Sequence, residues 1–259
     1  MCLILLAWQA HADYPLVVAA NRDEFFARAT ATAAFWDDAP QVLAGRDLDA
    51  GGTWLGVTRQ GRFAALTNYR APGSNRTSGP MVPNAPSRGL LVSRFLTGKQ
   101  TPETYLSELQ AESERYNGYN LLFGDRSALY CYANRSNAAQ RLAPGVYGLS
   151  NDLLDTPWPK IARGKSALAM TLQALPDEAP LFDLLHDDQP APDAVLPRTG
   201  VSLEWERLLS AAFICAPDYG TRSSTVLLVD QSGELRFTER SFAAGGTETS
   251  RVEYAFALQ

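Results

Sequence analysis

An α+β fold whose sheets are covered on both faces is what this sequence predicts, and three observations carry it. Strand-like and helix-like segments come in blocks (strands, helices, strands, helices, strands) and do not alternate as parallel βαβ units would. The early strands are apolar on consecutive residues, Leu3-Ile4-Leu5-Leu6-Ala7-Trp8 and Pro15-Leu16-Val17-Val18-Ala19-Ala20, where a sheet with one wet face would alternate. The 259 residues, 46% of them hydrophobic and 20% charged, are enough for a large core, with no repeat, linker or biased tract to divide the chain. Residues 1–259 are therefore read as one domain.

The elements follow in order. Strands are expected at 3–8, 15–20, 53–58 and 62–67, the last two joined by the turn Arg59-Gln60-Gly61-Arg62. The Pro-, Gly- and Asn-rich stretch 71–87 reads as a mobile surface loop. Helical spacing then covers about 87–96 and 102–116, the second opened by Thr101 as cap with Pro102 in its first position. Short strands rich in Tyr, Leu and Val follow at 120–124, 128–133 and 145–150. A longer helix at about 159–175 precedes shorter ones near 181–186 and 203–212, with the proline-rich 187–200 between them as loop. The chain closes on strands at 224–230, 234–241 and near 251–257.

Composition removes several functions. With 23 Lys+Arg against 28 Asp+Glu, a net charge of −5 and no basic run, nothing in the chain could neutralise a row of phosphates, so nucleic acid is not an expected partner. The first apolar run, 2–8, is too short to span a bilayer, and no Lys or Arg precedes Arg22 to form the positive start of a signal peptide. A cytoplasmic protein without a transmembrane segment is expected. Cys2, Cys131 and Cys215 are too few and too scattered for a disulfide framework or a zinc site, so no metal is expected. Only two histidines, His11 and His186, are available to any mechanism that needs one.

Cys2 is the sharpest chemical feature. Methionine followed by a small residue is the arrangement an aminopeptidase trims, and trimming would leave a thiol beside a free α-amine. With a reference pKa of about 7.7–8.0, that amine could take the thiol proton without any histidine. The alternative is a small apolar residue that merely starts a strand. Asn21-Arg22-Asp23-Glu24 follows the second strand at once, and a hairpin returns it to the level of Cys2. Either its carboxylate orients the Cys2 amine, or Asn21 and Glu24 form a capping box for a short helix. Asn68 and Asn151 end strands, where an amide can donate to a developing oxyanion or simply make a turn. Arg222 could lower a thiol pKa, bind an acidic group, or pair at the surface. Gly51-Gly52 before Thr53-Trp54 reads as a tight turn.

Together with Cys2, the strings Asn21-Arg22-Asp23-Glu24, Gly51-Gly52-Thr53-Trp54-Leu55-Gly56, Thr67-Asn68-Tyr69-Arg70, Ser87-Arg88-Gly89, Tyr116-Asn117-Gly118-Tyr119-Asn120 and Gly148-Leu149-Ser150-Asn151 through Pro157-Trp158-Pro159-Lys160 resemble the NRDE family over most of the chain. That family is similar in turn to the N-terminal-nucleophile hydrolases. The resemblance implies a four-layer αββα sandwich, two antiparallel sheets between helices. By analogy with the cysteine amidases of that group, Cys2 would be the nucleophile, Asp23 the carboxylate on its amine, Asn68 and Asn151 the oxyanion region, and Arg222 a guanidinium near the thiol. These five would meet at a shared end of the two sheets, with Asn21, Arg22, Trp54 and Tyr69 on the substrate side. The amidases carry an arginine three residues before the aspartate; here that place is Ala20, and Arg22 directly precedes Asp23.

The implied activity is hydrolysis of an amide or thioester bond in a small amphipathic acyl substrate, with no required cofactor. The resemblance equally implies a carrier linked to lipid homeostasis or haem trafficking, in which haem, acyl-coenzyme A or lipid would be the bound ligand. The oligomeric state is not encoded in any pattern the sequence displays.

Overall fold

The computed structural model describes residues 2–70 and 82–259; the expected loop over 71–87 lies largely outside them. Among the described residues, consecutive apolar and β-branched residues form two antiparallel sheets, and the segments of helical spacing form five helices, giving the expected α+β class. The chain divides into two compact units: residues up to Ala27 with Ala143–Ala257, and Arg28–Leu142 with Leu258–Gln259.

The first unit holds a six-stranded sheet. Its strands are β1 (Cys2–Trp8), β2 (Leu16–Phe25), β10 (Gly145–Leu149), β11 (Tyr219–Val229), β12 (Glu234–Phe242) and β13 (Glu248–Ala257), in the spatial order β10-β1-β2-β11-β12-β13. Helices α3 (Pro159–Thr171) and α4 (Ala179–Leu185) cover one face, and α5 (Leu203–Leu209) completes the unit. Leu3, Leu5, Ala7, Val17 and Ala19 point at the helices and pack with Ile161, Leu168, Leu181, Phe182 and Leu185. The alternate residues Ile4, Leu6, Val18 and Ala20 are buried too, as the unbroken apolar runs predict.

The second unit holds a seven-stranded sheet in simple chain order: β3 (Thr30–Trp36), β4 (Ala39–Asp47), β5 (Leu55–Thr58), β6 (Phe63–Asn68), β7 (Tyr119–Gly124), β8 (Leu129–Ala133) and β9 (Ala138–Arg141). Helices α1 (Gly89–Thr97) and α2 (Pro102–Ala111) lie against it. Its core is aromatic, with Phe95, Tyr105 and Phe123 ring centroids 5.1–5.5 Å apart. The α2 cap is as expected: the Thr101 hydroxyl accepts from the Thr104 N–H at 3.2 Å, and Pro102 begins the helix. Gly52 has φ 77°, and a β-carbon there would lie 2.6 Å from the Gly89 carbonyl carbon, so position 52 of the turn admits no larger residue.

Several boundaries differ from the sequence reading. Strands β3, β4 and β9 were not expected, because their Ala, Asp and Pro residues have weak strand preference and only cross-strand pairing holds them extended. The expected helices at 102–116 and 159–175 end early, at Ala111 and Thr171, each followed by a short 3-10 turn. The capping-box reading of Asn21 to Glu24 is overturned: all four residues lie inside β2 and pair with β11, and Asn21 and Arg22 pair with β1 as well.

Candidate active site

In β2 the apolar run ends at Ala20 and a polar run begins, yet burial continues: Asn21, Asp23 and Arg22 are 0%, 2% and 9% exposed. Pairing decides what each of these side chains faces. Cys2 is the direct cross-strand partner of Arg22 in the β1–β2 register, so thiol and guanidinium stem from the same face. Asn21 and Asp23 alternate to the other face, toward the helices. The Asn21 amide there donates to the Leu185 and Ala212 carbonyls, both at 2.8 Å, and accepts from the Ser224 hydroxyl at 2.6 Å. Its polar atoms are spent on holding β2, β11, the end of α4 and the Ala212 segment together. Asn21, expected on the substrate side, therefore sits as a fastener of the fold.

Asp23 is gripped from β11. The Thr221 hydroxyl donates to its Oδ1 at 2.8 Å and accepts from the Ile214 N–H at 2.9 Å, and the Tyr219 hydroxyl donates to the Asp23 carbonyl at 3.2 Å. Burial pushes the Asp23 carboxyl above the usual carboxylate range. The positive charge of Lys160 is the largest influence against that rise, aided by the Thr221 hydrogen bond and Arg22. Burial likewise pushes the Cys2 thiol up and the Asp23 charge adds to it, while Arg22 and a hydrogen bond from the Asp23 backbone N–H act downward. Cys2 itself remains partly exposed.

At the end of β10, the Ser150 hydroxyl donates to the Cys2 carbonyl at 2.9 Å and lies 3.2 Å from Asn151 Oδ1, so Asn151, fully buried, is fixed beside the start of β1. Arg222 occupies a bulge in β11, where the register with β2 shifts between Thr221 and Ser223. Its Nη1 donates to the Phe25 and Phe26 carbonyls at 2.9 and 3.3 Å. Arg222 is thus anchored beyond the end of β2, and Arg22 is the arginine in register with Cys2.

The structure brings Cys2, Arg22, Asp23, Asn151 and Arg222 to one end of the first sheet. Asn68 ends β6 in the second unit, where Tyr69 donates its N–H to the Gly118 carbonyl at 3.0 Å and Trp54 accepts from the Leu66 N–H at 2.8 Å. His11 lies against Tyr14 and His186 against Phe213, with ring centroids 5.5 and 4.2 Å apart. Among the described residues no group of three or more His, Cys, Asp or Glu side chains could hold a metal ion, and no helix is long and apolar enough to cross a membrane.

Three residues around the site escaped the sequence reading: Ser150, Thr221 and Lys160. Lys160 carried a signal in the string Pro157-Trp158-Pro159-Lys160, because a lysine in the first turn of a helix opposes the helix dipole and calls for a compensating charge.

Comparison with known proteins shows the family of the chain. The family model described as Transport and Golgi organisation 2 matches residues 1–244. The chain is 39% identical over 284 residues to the Transport and Golgi organization protein 2 homolog of Bos taurus, with 100% of both chains covered. It is 38% identical over 263 residues to the homolog of Homo sapiens, covering 93% of each. Among solved structures, a mutant conjugated bile acid hydrolase from Clostridium perfringens is similar at 11% identity and a TM-score of 0.47, covering 100% of this chain and 92% of that one. The family model spans nearly the whole sequence and full-length relatives share more than a third of its residues: the chain belongs to the Transport and Golgi organisation 2 family.

Proposed function

We propose that the protein is an N-terminal cysteine hydrolase acting on an amide or thioester bond of a small amphipathic acyl substrate. The observation that supports this reading is the surroundings of Cys2: a partly exposed residue at the first position of β1, in register with Arg22, its sulfur receiving the Asp23 N–H and its carbonyl braced by Ser150. Once Met1 is removed, the Cys2 α-amine takes the thiol proton and sulfur attacks the substrate carbonyl carbon. Asn151 and nearby backbone N–H groups hold the oxyanion. The tetrahedral adduct collapses, the leaving amine or thiol takes the proton from the α-ammonium, and an acyl-cysteine remains. Water, deprotonated by the same amine, then attacks the thioester, releasing the acid and restoring the thiol. Asp23 anchors the amine, Arg22 offsets negative charge near the sulfur, and Arg222 braces the end of β2.

A binding or trafficking role for haem, acyl-coenzyme A or lipid at the same site is favoured by one observation, the burial that pushes the Cys2 thiol upward and so keeps it protonated in a chain that retains Met1. The two readings separate in one experiment: an intact mass before and after brief iodoacetamide treatment at neutral pH, followed by turnover of acyl anilides and acyl thioesters. Hydrolysis requires a mass lacking methionine, fast single labelling at Cys2, and at least about a thousandfold loss of turnover in Cys2→Ala. His11→Ala and His186→Ala keep full turnover. Retained Met1 with an inert Cys2, and ligand binding that survives Cys2→Ala without product, would establish the carrier instead.

A further inference from the structure

The first sheet buries an acid and a base on its helix-facing side. Asp23 shares that face with Asn21, whose amide reaches the last residue of α4, and is 2% exposed. Lys160, in the first turn of α3, is also 2% exposed. The next residue, Ile161, packs into the same core as Leu3, so the start of α3 is held over the beginning of β1. A lysine is almost never fully buried unless paired, and the N-terminal end of a helix is the wrong end for a cation. Retaining Lys160 there makes sense only if a buried negative charge answers it. Asp23 is that charge, and Lys160 is the strongest influence keeping its carboxyl from rising further. Also acting on Asp23 are the chain's α-amino charge and Arg22, which lower its carboxyl further, with Cys2 on β1 and the Thr221 and Tyr219 hydroxyls on β11 beside it.

We propose that Lys160 is a positioning residue: its buried ammonium holds Asp23 as a carboxylate, so that Asp23 anchors the Cys2 α-amine rather than becoming a neutral acid. The inference rests on the hydrolase reading for its purpose but not for its measurement. Without Lys160, Asp23 takes up a proton from solvent and no longer presents a negative charge to Cys2. Lys160→Met then behaves at the thiol as Asp23→Asn does.

The test is the pH profile of iodoacetamide labelling at Cys2, read by mass. Asp23→Asn lowers the labelling midpoint by about half a pH unit, since a negative neighbour has been removed. Lys160→Met lowers it to the same value, the double variant Asp23→Asn/Lys160→Met adds no further shift, and Lys160→Arg restores the original profile. The double variant carries no lone buried charge and folds even where Lys160→Met alone does not, and it must then match Asp23→Asn. A Lys160→Met protein that melts earlier but keeps the wild-type profile while Asp23→Asn shifts would overturn the proposal, because a merely structural lysine moves stability and not the thiol. So would a double variant whose shifts simply add. Retained Met1 or absent acyl turnover sinks the hydrolase reading alone, since the labelling profile, carried into alkaline pH where a thiol inert at neutrality ionises, is obtained in either case.

Discussion

The two units of the molecule lay helices on a sheet in the same way and fill the space between them differently. In the second unit the buried layer is rich in aromatic rings, Phe95 against Tyr105 and Phe123, and rings carry polar atoms there: the Tyr105 hydroxyl donates to the Leu91 carbonyl at 2.6 Å and Trp36 Nε1 to the Ala44 carbonyl at 3.1 Å. In the first unit the aliphatic layer of Leu3, Leu5 and Val17 gives way at one end to Asn21, Asp23 and Lys160, all at most 2% exposed. Packing alone never calls for a buried carboxylate and ammonium, which an apolar pair of similar volume replaces at no loss or with a gain in stability. Their presence at the end of the sheet that carries Cys2 sets that end apart from the aliphatic layer beside it.

The contrast is broken or sharpened by substitutions in each unit. The largest effect on stability belongs to the aromatic core: Phe95→Ala costs about 3–5 kcal/mol by cavity formation, measured by urea unfolding, and leaves the rate of Cys2 labelling unchanged at urea concentrations where the variant is folded. A change in that rate would show the two regions are not independent. Asn21→Ala removes three buried hydrogen bonds and strands their partners, for about 2–3 kcal/mol. Unlike the core substitution it also alters Cys2 labelling, because β2 carries both Asn21 and Arg22.

The smallest effect lies at the rim of the second unit. Burial pushes the Asp47 carboxyl up, but the Arg28 hydrogen bond at 2.8 Å and the N–H groups of Asp49 and Ala50 outweigh it and hold the group below the usual range. A folded value below the unfolded one means stability that is present above the ordinary carboxylate pKa and lost as pH falls through the lowered one. Asp47→Asn therefore costs at most about 1 kcal/mol at neutral pH, and its deficit shrinks in acid, as thermal melts between pH 2 and pH 7 will record. A deficit that stays constant with pH would mean the carboxylate charge is not what holds β4 there.

Much of the fold was legible because burial writes itself into runs of residues. Leu3 to Trp8 and Leu16 to Ala20 announced strands buried on both faces, and Thr101-Pro102 announced the start of α2. What stayed hidden was held by partners distant in sequence. β3 and β4 are strands because they pair with each other and β4 pairs with β5; their own residues say little. Asn21 to Glu24 read equally well as a helix start, and only pairing with β11, joined by β1 at Asn21 and Arg22, settles it as strand.

The same division runs through the site. The sequence by itself determined that a cysteine follows Met1, that Asp23 lies one hairpin away, and that histidine is scarce, since these depend on identity and local spacing alone. Which arginine stands in register with the thiol was decided by the tertiary structure: the β11 bulge sends Arg222 to the Phe25 and Phe26 carbonyls and leaves Arg22 opposite Cys2. So was the gathering of Thr221 and Lys160, each more than a hundred residues from Asp23 along the chain, around that one buried carboxyl. Register and burial are properties of contacts between distant segments, and no local pattern can encode which of two arginines, or which lysine, the fold will carry inward.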